Sequence, residues 1–183
     1  MRNVVIILAL SQLLSACKDN TTISSSPDES FTANQRMIAL NSYVNSYHPG
    51  LRLLSLSADT VGVDGKATKW SYQYADTSAG EHLTYYFHAT IDEIRFDSST
   101  PFPVGPSVIT LSWFDSDSAM ILAESHGGLQ YRTQNTNVTM SASLGQSLSP
   151  NPIASWRIVY QGGLIPLGLI IDAETGDLLG QTK

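Results

Sequence analysis

The chain has little of several features that would point to a particular class of protein. Cys17 is the single cysteine among 183 residues, so no disulfide can form within the chain. Charged side chains make up 14% of the sequence, with 10 basic residues against 16 acidic ones and no cluster of Lys or Arg. Nucleic-acid binding depends on such clusters to neutralise phosphates. The composition therefore predicts that nucleic acid is not a partner.

Motifs for catalysis, metals and cofactors are also missing. There is no Gly-x-Ser-x-Gly, no His-Glu-x-x-His and no phosphate-binding loop. Asp115 and Asp117 begin like a calcium loop, but the later glycine and acidic residue of such a loop are absent. His82 and His88 lie too far apart on one predicted strand to share a metal. We expect no metal, no cofactor and no enzymatic activity. A small hydrolase whose triad assembles only in space is the alternative.

The N-terminus indicates export. Arg2 precedes an apolar run over residues 4–10, which is shorter than the roughly 20 residues that span a bilayer. The residues Leu14-Ser15-Ala16-Cys17 resemble the lipobox of bacterial lipoproteins. This resemblance implies that residues 1–16 are a removable signal peptide and that Cys17 carries lipid, which attaches the protein to the membrane of the cell envelope.

The residues around the predicted anchor add two expectations. Lys18 follows the cysteine, where Asp would favour retention in an inner membrane, so we favour an outer-membrane location facing the periplasm. Residues 17–30 are polar and rich in Ser and Thr, which is typical of a flexible tether between lipid and domain.

The first half of the exported part predicts a helix followed by strands. Residues 31–47 are predicted to be helical, because Thr32 and Gln35 fit a capping box and apolar residues recur at helical spacing. These apolar residues are Met37, Leu40, Val44 and Tyr47. Trp70, Tyr72 and Tyr74 then alternate with polar residues, which predicts a half-buried strand, and residues 83–91 repeat the alternation.

The second half repeats this order. Residues 115–126 are predicted to be helical, with Asp115 or Ser116 as the cap and Gly127-Gly128 as the stop. Residues 129–141 are expected to be extended, and Trp156 opens an alternating strand as Trp70 does. We therefore predict an α+β protein of two tandem units, residues 31–97 and 113–183, joined by a linker over residues 98–112.

The C-terminal sequence is similar to a known family. The segments "SWRIVY" (155–160) and "LGLIIDAETGDLLG" (167–180) resemble the end of a PepSY domain, and "WFDSDSAMILAESHGG" (113–128) resembles its helical opening. Each predicted unit would then be a PepSY-like helix packed on an antiparallel meander. PepSY domains occur in propeptides that restrain secreted metallopeptidases. The resemblance therefore implies a non-catalytic module that binds a protein or peptide through its sheet face or an edge strand. Inhibition of a secreted or periplasmic peptidase is one form that such binding can take. A purely structural lipoprotein is a further alternative.

Two groups of residues are candidates for specific roles. Asp172, Thr175 and Gly176 are predicted to form a structural turn, in which the Asp carboxylate accepts backbone hydrogen bonds and glycine supplies a positive φ. Tyr86 and His88 are predicted to form a binding surface if their side of the strand faces outward. The alternative is that a second layer covers that side.

Overall fold

The chain folds as one antiparallel sheet with helices packed on one face. The computed structural model describes residues 29–76, 83–101 and 107–182. The helices of these residues are α1 (Met37–Tyr47), α2 (Ser116–Ala123) and α3 (Leu129–Gln134). The strands are β1 (Arg52–Ala58), β2 (Trp70–Ala75), β3 (Leu83–Ala89), β4 (Ile94–Pro101), β5 (Thr139–Gln146), β6 (Ala154–Gln161), β7 (Leu167–Asp172) and β8 (Leu178–Thr182). The predicted α+β class is confirmed.

The strand order is β4-β3-β2-β1-β5-β6-β7-β8, and every neighbouring pair is antiparallel. Strands β1 and β5 pair in the middle, with Leu56 opposite Leu144 and Ser57 opposite Ser143. We call this β1–β5 pairing the seam. Because the seam is hydrogen-bonded, the two sets of four strands form one continuous sheet above a single buried cluster.

Two tryptophans occupy the centre of that cluster. Trp70 and Trp156 are fully buried, and their rings meet edge to face at 6.2 Å between centroids. Each indole N–H donates to a backbone carbonyl just before a helix: Trp70 to Phe31 and Trp156 to Phe114, both at 2.9 Å. Burying a large apolar side chain contributes about 1.5–3 kcal/mol, and these hydrogen bonds remove the penalty for burying the polar N–H groups.

The first helix is shorter than predicted. It begins at Met37 rather than Phe31, although Thr32 N–H and the Gln35 side chain still meet at 3.4 Å. Phe31 instead forms a bridge with Ala67, and its carbonyl accepts from Trp70. These tertiary contacts outweigh the local helical preference. On the predicted apolar face, Leu40 and Val44 are buried, whereas Tyr47 is exposed.

A further helix follows the glycines that end the second predicted helix. Helix α2 begins at Ser116 with Asp115 as its cap, as expected, but the chain turns through Glu124–Gly128 and continues as α3. The prediction that residues 129–141 are extended is therefore wrong for Leu129–Gln134. His126 and Gly127 depart from helical backbone angles, with Gly127 at a φ of 113°, so the two helices meet at a kink.

The structure describes part of the predicted linker between the halves and none of the predicted N-terminal anchor. Strand β4 continues to Pro101, inside the segment 98–112 that the sequence predicts as a linker. The predicted signal peptide and Cys17 lie outside the described residues. Among the helices of the described ranges, none combines the length and the apolar character of a transmembrane span.

Candidate functional site

The two faces of the sheet differ in character. Because side chains alternate along a strand, the residues next to the buried tryptophans and tyrosines point away from the helices. We call that opposite side the open face. One row of directly opposed residues crosses it from β4 to β8. This central row consists of Arg95, His88, Ser71, Ser57, Ser143, Arg157, Ile170 and Gly180.

A shallow groove lies over the middle strands of the open face. The row beside the central row has Gln73 on β2, Ser55 on β1, Gly145 on β5 and Ser155 on β6. Because the side chains on β1 and β5 are small, they leave a depression of about 500 Å³ along the seam. The groove is lined mainly by hydroxyl and amide groups, so it can offer donors and acceptors to a partner's backbone.

Arg157 is the charged side chain at this groove. It stands on β6 opposite Ser143 of β5 and Ile170 of β7. Its guanidinium group makes no hydrogen bond or ion pair with the described residues, and the side chain is exposed. Asp59 borders the adjoining depression of about 240 Å³ with Arg157, without forming an ion pair with it. The groove therefore presents an unused positive charge beside neutral hydroxyl groups.

Tyr86 and His88 lie on the open face, towards its β4 edge. His88 is buried: its Nδ1 is 2.7 Å from Asp97 Oδ1, and its Nε2 is 3.8 Å from Glu93 Oε1. The Tyr86 hydroxyl accepts from Thr100 Oγ1 at 3.3 Å. Of the described helices, none packs against this side. His88 is already held by carboxylates, so Tyr86 is the more available of the two predicted surface residues.

The His88–Asp97 pair has two of the three parts of a hydrolytic triad. Ser71 is the cross-strand neighbour of His88. No hydroxyl group of the described residues is hydrogen-bonded to His88, however, and its second nitrogen faces Glu93. An activated nucleophile needs such a hydrogen bond to its base.

A second depression, of about 370 Å³, lies between the kinked helix and the β6–β7 connection. Tyr131 closes one side, because its hydroxyl accepts from Gly163 N–H and donates to the Ile165 carbonyl, at 2.9 and 3.0 Å. His126, Gln130, Gln134 and Gln181 are among its polar lining residues. Its lining has no carboxylate and no guanidinium group.

A network of hydrogen bonds connects the kinked helix to strand β6. The Tyr160 hydroxyl donates to Glu124 at 2.9 Å, and Arg132 Nε donates to the same carboxylate at 3.1 and 3.2 Å. Burial, with the Glu124 carboxylate as a further cause, raises the pKa of Tyr160 above its ordinary value, so the phenol stays a donor. The hydrogen bond that Arg132 donates to Glu124 raises the pKa of Arg132. The network is structural, because its groups satisfy one another.

The C-terminal turn has the geometry of an Asx turn. Asp172 Oδ1 accepts from Glu174 N–H at 2.8 Å and from Thr175 N–H at 2.9 Å, and Gly176 takes a φ of 82°. The backbone N–H groups of Thr175 and Glu174 lower the pKa of Asp172, and the group of Thr175 has the larger effect. The segment connects β7 to β8 as a hairpin. Within the described parts of the chain, no three His, Cys, Asp or Glu side chains converge to hold a metal ion.

The fold is shared with a solved structure. The crystal structure of "a putative lipoprotein" from Clostridium difficile 630 matches with a TM-score of 0.53 and 13% sequence identity. The match covers 80% of this chain and 90% of that chain. At this identity the similarity establishes the fold alone. No protein-family model matches the chain, and no curated protein matches it. The PepSY resemblance therefore stays a prediction.

Sequence reasoning missed the groove and Arg157. The signal was present in the alternation of Ser155 and Arg157 with the buried residues of β6. What the sequence did not provide was the seam, because the pairing of β1 with β5 brings together residues more than 80 positions apart. The depression exists only once that pairing is known.

Proposed function

We propose that the protein is a lipid-anchored, non-catalytic module that binds an envelope protein or peptide on the open face of its sheet. The groove over the seam is the observation that carries this proposal, because part of its lining makes no hydrogen bond with the described residues. These free groups are the hydroxyls of Ser55, Ser57, Ser143 and Ser155, the amide of Gln73 and the guanidinium group of Arg157. A partner that carries a peptide backbone can satisfy such groups without any chemical step. The favoured partner is a secreted or periplasmic peptidase, which the module would inhibit.

We further propose that the two halves are duplicated PepSY-like units. The order of helix and four-stranded meander in each half supports this, as do the equivalent hydrogen bonds of Trp70 and Trp156. In this proposal lipid on Cys17 holds the module at the outer membrane, facing the periplasm. The fold shared with "a putative lipoprotein" is compatible with attachment to the envelope.

Site-specific cross-linking tests the proposed face. A photoreactive residue replaces Ser143 in the groove of the complete chain, expressed in its own envelope. We expect a discrete cross-linked product with an envelope protein, and we expect the isolated product to contain a peptidase. The matched control places the same residue at Ile121, which is exposed on helix α2.

Two results would count against this proposal. The first is equal cross-linking from Ser143 and Ile121, since this would mean that the groove is not the contact surface. The second is hydrolysis of ester or peptide substrates that is abolished by Ser71→Ala or His88→Ala, since this would assign a reaction to the protein.

A further inference from the structure

We propose that the groove recognises an acidic side chain of its partner, and that Arg157 is the residue that binds the carboxylate. This inference rests on the proposed function and names the chemistry of the partner. The occupant is an extended protein segment with Asp or Glu at the position that reaches β6.

The first argument is the state of Arg157. A guanidinium group offers five N–H donors in a planar fork that fits a carboxylate with two parallel hydrogen bonds. On the open face the carboxylates of Asp97 and Glu93 lie against His88, whereas Arg157 has no acidic partner among the described residues. In a chain with a net charge of −6, this makes the groove a local exception to the acidic composition.

The second argument is what surrounds Arg157. Ser143 stands directly opposite it on β5, and Ser57 is opposite Ser143 on β1. Strands lie about 4.8 Å apart, so the two hydroxyl groups and the guanidinium group form a line about 10 Å long. An extended segment of about three residues has the same length. The serine hydroxyls can pair with the backbone of that segment while its acidic side chain reaches Arg157.

The third argument is selectivity. The remaining groups of the groove, Gln73, Ser55 and Ser155, are neutral. Asp59 at the adjoining depression is the nearby opposing charge. It would repel an acidic partner, so its removal should strengthen binding. A basic partner would instead bind more tightly after removal of Arg157 and more weakly after removal of Asp59. Variants of these two residues therefore test the sign of the partner's charge.

Two short peptides test this inference on the complete chain, purified in detergent. The probes are N-acetyl-Ser-Thr-Glu-Thr-Ser-amide and the same peptide with Gln in place of Glu. Titration followed by amide chemical shifts gives both the affinity and the location. We expect the Glu peptide to shift Ser57, Ser143 and Arg157, and to bind about five-fold more tightly than the Gln peptide, the factor that corresponds to about 1 kcal/mol for an exposed ion pair.

Charge variants provide the controls. Arg157→Gln should abolish the preference for Glu, and Asp59→Asn should increase it. Arg95→Gln removes the same charge from the same row, but it lies five strands away, about 24 Å. This is beyond the screening length of about 10 Å at 0.1 M salt, so we expect no change.

The outcomes separate this inference from the proposed function. Equal binding of both peptides in the groove would overturn the acidic specificity and leave the binding face intact. Binding that is insensitive to Arg157→Gln, or equally sensitive to Arg95→Gln, would also overturn the role of Arg157. Shifts confined to residues outside the groove, or no binding of either peptide, would count against both proposals.

Discussion

Tyr160 shows how a single residue connects the sheet to the helix layer. Its ring is fully buried in the core, while its hydroxyl donates to Glu124 at the helix kink. Tyr160→Phe keeps the packing and removes one hydrogen bond. The carboxylate retains Arg132, so we expect the free energy of unfolding to fall by about 0.5–1.5 kcal/mol, measured by urea denaturation. Tyr86→Phe is the matched control, because Tyr86 is half-buried on the open face, and its loss should be smaller. Equal losses would contradict this account.

Asp172 predicts a pH dependence at the β7–β8 turn. Its pKa is lowered from 3.8 by the backbone N–H groups of Thr175 and Glu174. A carboxyl group with a lowered folded-state pKa contributes stability above its unfolded-state pKa and loses it as the pH falls through the folded value. We therefore expect the amide resonances of Glu174 and Thr175 to move together below about pH 4. Asp172→Asn keeps an acceptor oxygen but does not titrate, so the same transition in that variant would refute this cause.

The kinked helix shows what happens when an element has to fit a side chain beneath it. Gly128 lies directly above the Tyr160 ring, and a Cβ atom at that position would overlap the phenol oxygen and the adjacent ring carbon. Gly128→Ala should therefore destabilise the protein by about 1–3 kcal/mol, the usual cost of overpacking, as measured by thermal unfolding. Gly145→Ala is the control, because a Cβ there meets no atom within 4 Å. If Gly128→Ala left the stability unchanged, the kinked segment would have to shift away from the Tyr160 ring without cost, which would contradict this account.

The same element explains where sequence reasoning failed. A double glycine usually ends a helix, so Gly127-Gly128 predicts a stop with an extended segment after it. The glycines do interrupt the helix, but α3 follows them at once, because Gly127 supplies the positive φ of the kink and Gly128 leaves room for Tyr160. The strands around Trp70 and Trp156 and the β7–β8 hairpin follow from local alternation and turn chemistry, which the sequence states directly. The helix kink and the seam depend on partners distant in the sequence, so they could not be predicted locally.

At the scale of the whole molecule, the seam and the tryptophan pair predict cooperative unfolding. Trp70 belongs to the first four strands and Trp156 to the last four, and their rings are in contact. We expect tryptophan fluorescence and far-ultraviolet circular dichroism to report one coincident urea transition. Leu144→Ala, which removes a buried side chain from the seam, should lower stability by about 2–5 kcal/mol without separating the two signals. Two resolved transitions in the wild-type chain would show that the halves fold independently.

The seam also has a consequence for a protein half this size. Residues 29–101 alone would leave β1 as an edge, with backbone N–H and C=O groups that need a partner strand. Such a fragment is expected to associate with a second copy of itself and to form a dimer whose population depends on its concentration. The intact chain removes that dependence, because covalent linkage supplies the second edge at an effective concentration of about millimolar or more. The open face of the intact chain is therefore complete in each single molecule, at any protein concentration.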